Sequence, residues 1–119
     1  MMFDKCNDQV TIYLGEDKTL NFRLTDDKTK NPFDLTSATE VIAIFPVSSG
    51  LPIQKKKSLN ELVVVSAVGG RFDVALSSAD TARLELGAVV AVEIRITIAT
   101  LLTIVQIPQA LNVVPSLFP

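Results

Sequence analysis

The sequence predicts an all-β protein, an antiparallel β-sandwich of seven to eight short strands with one short helix. Three observations predict it. Apolar–polar alternations of period two recur along the chain, turn formers separate them at close spacing, and no strand–long helix–strand unit appears. Packed in two layers, such a pattern resembles the immunoglobulin-like sandwich in general shape.

Val10 to Leu14 ("VTIYL") is a short strand ended by Gly15 and the acidic turn "GEDK". Leu20, Phe22 and Leu24 then alternate with Asn21, Arg23 and Thr25, the signature of a half-buried strand. A run of charge and turn formers follows and ends in the polar knot "DLTSA". Within it, Asp34 and Thr36 are short polar side chains able to bond nearby backbone N–H groups, which makes them candidate structural turn residues. Val41 to Phe45 is apolar throughout, so both of its faces should be covered. "SATE" fits a helix capping box, but the β-branched run behind it stops at Pro46, so a strand is the better reading.

"SSGLP" is a loop and "IQKKKS" a polar edge strand. Leu62 to Ser66 is a strand, and Gly69-Gly70 turns the chain into "RFDVAL", with Phe72, Val74 and Leu76 on one face. Ser77 to Gly87 is the one helical stretch. Ser77 or Ser78 can cap it, Asp80 suits its first turn, and Gly87 can end it. Val90, Val92, Ile94, Ile96 and Ile98 make the clearest strand. Leu101 to Ile107 returns, and Leu111 to Val114 forms a last short strand.

A chain of 119 residues is one domain by size, able to bury roughly two-thirds of its unfolded surface. Residues 1–9 read as an N-terminal arm and 115–119 as a C-terminal tail. Charged residues are 20% and apolar ones 48%, enough apolar surface to offset chain entropy. The net charge of -2 argues against a nucleic-acid partner. The opening "MMFDKCNDQ" lacks the apolar stretch of a signal peptide. Ile96 to Pro119 carries no charge, yet Pro108, Pro115 and several Thr, Gln and Asn residues interrupt it, so no membrane span is expected.

The usual tools of catalysis are missing. There is no His to act as general base or zinc ligand, and Cys6 has no partner for a disulfide or a Cys-His pair. A single cysteine suits a reducing cytoplasm. Ser77 and Ser78 are explained by capping. The carboxylate pairs Glu16-Asp17 and Asp26-Asp27 sit in polar turns, where nothing raises a pKa for acid catalysis. Asp26, Asp27, Asn31 and Asp34 offer oxygens to calcium, but the spacing matches no EF-hand, and a solvated hairpin loop explains them. Lys55, Lys56 and Lys57 point to alternating faces and protect an exposed edge. No enzyme, cofactor or metal is expected.

At "GEDKTLNFRLTDDKTKNPFDLTSATEVIAIF" the sequence resembles the β-sandwich modules at the N-termini of phage baseplate upper proteins and related tail or fibre-attachment proteins. The shared order is a Gly-acid turn, an alternating strand, an acidic loop, a "DLT" knot and an apolar strand. "GGRFDVALSSADTARLELG" and "TIVQIPQALNV" are similar to their later strands and short capped helix. Ser37 stands where those modules tend to have Gly, and Lys30-Asn31 replaces the turn Gly before Pro32.

The resemblance implies a structural protein of a bacteriophage virion, made in the host cytoplasm. It would serve as an assembly module of tail, baseplate, neck or fibre attachment, contacting other virion proteins and copies of itself. Alternatives are a head decoration protein, or a soluble sugar- or peptide-binding sandwich. Sugar sites usually expose aromatics, and this chain has no Trp and one Tyr, Tyr13. The apolar excess of the charge-free segment falls on Leu101, Leu102, Leu117 and Phe118, which are the expected protein interface, the alternative being that Phe118 folds back onto its own domain.

Overall fold

A computed structural model describes residues 10–26 and 29–115, and it is mostly β structure. Eight strands are present among the described residues: β1 (Val10–Tyr13), β2 (Lys18–Arg23), β3 (Ala38–Phe45), β4 (Ile53–Lys56), β5 (Leu62–Ser66), β6 (Arg71–Leu76), β7 (Gly87–Ile98) and β8 (Leu101–Val114). They form a five-stranded sheet of order β1-β8-β7-β3-β4 and a three-stranded sheet of order β2-β6-β5. One turn of helix, α1 (Ser78–Thr81), and a 3-10 turn at Lys57–Leu59 complete the described elements. No helix among the described residues is long and apolar enough to cross a membrane.

The inward rows of the two sheets meet in one core. Val41, Ala43, Phe45, Val92, Ile94 and Ile96 from the larger sheet and Leu20, Phe72, Val74 and Leu76 from the smaller are all buried. Every residue expected in the core from alternation (Phe22, Phe72, Val92, Ile94, Ile96) or from the apolar run (Val41, Phe45) is buried. Phe22 and Phe72 lie opposite one another across β2 and β6, their rings stacked at 5.2 Å and 21°.

Four features differ from the expectation. The larger sheet is mixed, because β1 runs parallel to the end of β8, with Val10 opposite Leu111 and Tyr13 opposite Val114. A purely antiparallel fold is therefore corrected. The two expected C-terminal strands are a single strand, β8. Pro108 lies where the register between β7 and β8 shifts, between the Val92–Ile107 and Val90–Leu111 pairs. A bulge tolerates a residue without an N–H, so the ladder resumes beyond it. The helix ends at Thr81, and Gly87 opens β7 instead of closing the helix. The polar edge strand stops at Lys56, and Lys57 begins the 3-10 turn that crosses to the smaller sheet.

Side-chain bonds fix the start of helix α1. Ser77 caps it, and Asp80 bonds back to the Ser77 N–H at 3.0 Å, a complete capping box. Buried Thr81 ties it to the turn after β1: its hydroxyl donates to the Glu16 carbonyl at 2.6 Å and accepts from the Gly15 N–H at 3.0 Å.

Candidate interaction surface

The β7–β8 hairpin turns through Ala99 and Thr100, since Ile98 pairs with Leu101. Ala99 takes a positive φ of 56°, as the first central residue of a primed two-residue turn does. Beyond this tight turn the strand emerges past the covered core. Leu101 is 74% exposed, Leu102 55% and Ile104 50%. The structure thus brings Leu101 and Leu102 together at one end of the hairpin. Leu117 and Phe118, the other expected interface residues, lie outside the described residues, as do the 1–9 arm and Asp27.

Ile104 was not singled out by the sequence. Val105 and Ile107 point into the core and Leu102, Ile104 and Gln106 point outward. With apolar residues on both faces of this stretch, alternation does not tell them apart. The pairing to β7 does.

Ile104 begins a row on the outer face of the larger sheet. It lies opposite Arg95, Arg95 opposite Ile42, and Ile42 opposite Lys56. The next row reads Gln106, Glu93, Ile44, Gln54. Ile42 and Ile44 are half-buried, so the outer face of β3 is only partly covered, against the expectation of two covered faces. Charge on this face is internally engaged: the Arg95 Nε donates to Glu93 Oε2 at 2.6 Å and the Gln106 Nε2 to Glu93 Oε1 at 2.6 Å. A depression of about 460 Å³ lies beside this network, with Ile44, Pro46, Pro52 and Ala91 among its lining.

The "DLTSA" knot is local in its side-chain hydrogen bonds and long-range at Leu35. Asp34 Oδ1 accepts from the Thr36 N–H at 2.8 Å and the Thr36 hydroxyl at 2.5 Å, a bond pattern confined to an exposed turn. The Thr36 hydroxyl, then its N–H, hold the Asp34 carboxyl below its ordinary value. Leu35 makes the longer reach: its side chain is buried and its N–H donates to the Ala67 carbonyl at 2.8 Å. Asp34 and Thr36 bond one another within the turn, and Leu35 ties the crossover to the smaller sheet.

The acidic loop closes on itself, with the Thr29 N–H bonded to Asp26 Oδ1 at 3.1 Å and the Asp26 N–H to the Asn31 carbonyl at 2.8 Å. Among the described residues, no group of three His, Cys, Asp or Glu side chains is placed to hold a metal. Lys55, expected to guard an edge, forms an ion pair with Asp80 at 2.8 Å, joining β4 to α1.

Glu40 is a further residue that the sequence did not single out. Its carboxylate accepts from the Ser58 N–H at 3.0 Å, the Val41 N–H at 3.0 Å and the Ser58 hydroxyl, fastening β3 to the 3-10 crossover. Burial by itself raises this carboxyl's pKa. The Ser58 hydroxyl, the Ser58 and Val41 N–H groups and the Lys56 charge outweigh it, and the net result lies below the ordinary 4.5. For Asp80 burial is likewise outweighed, by the Lys55 ammonium and the Ser77 bonds, leaving it below 3.8.

A lowered folded-state pKa contributes stability that is complete above the unfolded value and lost as pH falls through the folded one. The thermal midpoint should therefore stay level from neutral pH to ~5 and fall on further acidification. Glu40→Gln should lower the midpoint most at neutral pH, with a loss that shrinks as the pH falls, flattening the acid limb of a melting series. An acid limb of unchanged steepness would remove Glu40 from this role.

No family model matches this chain, and no curated protein matches it.

Proposed function

We propose that this chain is a small assembly module of a bacteriophage particle, docking at a tail, baseplate, neck or fibre-attachment site and contacting copies of itself. In this reading it performs no catalysis, takes no cofactor, binds neither nucleic acid nor membrane, and resides in the virion. The observation that carries the reading is the exposed apolar end of the β7–β8 hairpin, with Leu101 on one face and Leu102 and Ile104 on the other. Large apolar side chains exposed at one end of a hairpin point to a protein contact.

The finer fold reading, an immunoglobulin-like sandwich, is supported by strand order. The order β2-β6-β5 follows strands B-E-D of that fold, and β8-β7-β3-β4 follows G-F-C-C′. Its outer GFCC′-type face carries the Ile104 and Gln106 rows. The depression of about 460 Å³ beside Glu93 favours, as a second reading, a binding module for a short peptide or sugar.

The test is proteomic. Particles purified from the host that encodes this chain should contain it in fixed ratio to other virion proteins. Leu101→Ser with Leu102→Ser should reduce its incorporation at least tenfold while the purified protein still melts cooperatively. A chain confined to the soluble lysate and absent from particles would refute the virion reading.

A further inference from the structure

Among the described residues, the outer edge of β8 from Leu101 to Ile107 has no strand beside it. β7 pairs with its other edge, and β1 joins only at Leu111–Val114. Natural sheets blunt such edges with charge, proline, bulges or shortness. The remaining edges show these devices. β1 ends after four residues, β4 does so too and carries Lys55 and Lys56, β2 carries Lys18 and Arg23, and β5 is bulged between Val64 and Ser66. "LLTIVQI" carries none of them: it has no charge and no proline, it is rich in β-branched residues, and its ladder to β7 is regular from Val92–Ile107 to Ile98–Leu101. Edge hydrogen-bonding groups of this kind are a template for an added strand.

We infer that this edge pairs antiparallel with the same edge of a second copy across a two-fold axis at Ile104, joining the two larger sheets into one. The inference deepens the assembly reading by naming the partner and the contact, and it rests on that reading only in treating the β8 end as an interface. The occupant is argued from self-complementarity. An isologous contact sets each residue against a partner fixed by the axis. Here Ile104 meets Ile104 of the second copy, Leu102 meets its Gln106, Leu101 its Ile107 and Thr103 its Val105. Each pair shares one face, as antiparallel partners do. The segment holds no charge, so no like charges oppose one another. The same register leaves room for β1: the second copy's β1 starts at its Leu111, and its bulge lies at Pro108. Both fall beyond the first copy's Leu101, where the hairpin has already turned back.

Sedimentation of the full chain at micromolar concentration should give about twice the 12.9 kDa chain mass. Ile104→Lys sets two ammonium groups face to face and should weaken the dimer on the order of 100-fold, while the protein still melts in one cooperative transition. In a Cys6→Ser background, Ile104→Cys should cross-link to itself on mild oxidation. Opposed antiparallel residues lie ~4.5–5.5 Å apart at Cα, within disulfide reach. Leu101→Cys, opposite Ile107 and not itself, should not cross-link.

A single-chain mass for the unmodified protein overturns the inference, including the case in which a dimer appears only after residues 1–9 are deleted, since the arm would then occupy the edge. A dimer that survives Ile104→Lys and leaves Ile104→Cys uncross-linked also overturns it, because the contact would lie elsewhere. Particle incorporation is scored independently. A chain that enters particles yet sediments as a monomer refutes this pairing and leaves the assembly reading intact.

Discussion

Gly70→Ala is expected to lower stability by about 3 kcal/mol or more. Gly70 holds a φ of +66°, where a Cβ costs roughly 1–2 kcal/mol by itself. The larger obstacle is position. An added Cβ would sit 2.6 Å from the Leu24 carbonyl oxygen and 2.7 Å from that of Phe33, both backbone atoms that cannot rotate aside. Those atoms are held in place. The Leu24 N–H donates to the Gly70 carbonyl at 2.9 Å, and the Phe33 N–H to the Leu24 carbonyl at 2.9 Å. Relieving the clash means moving the junction where the end of β2, the crossover and the β5–β6 turn meet, and forced overpacking costs a further ~1–3 kcal/mol. Gly15→Ala is the control. It has a φ of +87° and nothing within 4 Å of its added Cβ, so it should lose only the conformational part, about 1–2 kcal/mol. Urea midpoints of the two variants at equal m-value measure the difference directly. Equal losses would mean that the close approach at Gly70 does not exist in solution.

Phe72→Ala should cost ~3–5 kcal/mol, the usual range for removing a buried phenylalanine and leaving a cavity behind. Phe72 is fully buried in the central strand of the smaller sheet, between β2 and β5, and its ring stacks on Phe22. Phe22 is itself near the edge of the core, at 8% exposure, so Phe22→Ala should lose less. A double-mutant cycle between them should show a coupling of ~0.5–1.5 kcal/mol for the aromatic pair. Val63→Ala, on the solvent side of β5, is the reference and should change stability by under ~0.5 kcal/mol. A loss below ~1 kcal/mol for Phe72→Ala would displace that ring from the core.

The core was legible because burial on one face of a strand writes itself as period two. Phe72, Val74 and Leu76 alternate with Arg71, Asp73 and Ala75, and the structure buries the first set and not the second. Legibility fails where the pleat is interrupted. Between Ala38 and Glu40 the register with β7 slips, so Ala38 and Val41 both point inward at a spacing no alternation contains. It fails again at Leu101–Ile107, apolar on both faces, where Ile104 could not be told from Val105.

For the candidate site, composition pointed to Leu101 and Leu102 because a charge-free run exceeds what a half-exposed strand requires. Glu40 gave no such signal: its partner Ser58 is eighteen residues away and reached only by folding. Alternation, turn chemistry and capping residues are local properties of the chain, and by themselves they determined an all-β protein, its inward rows and the capped turn at Ser77–Asp80. The parallel seat of β1 beside β8, the close contact at Gly70, the Glu40 clasp and the unpartnered β8 edge were decided only by the tertiary structure. Each depends on which distant strand arrives alongside, and that is settled by the joint burial of both sheets, not by any single segment.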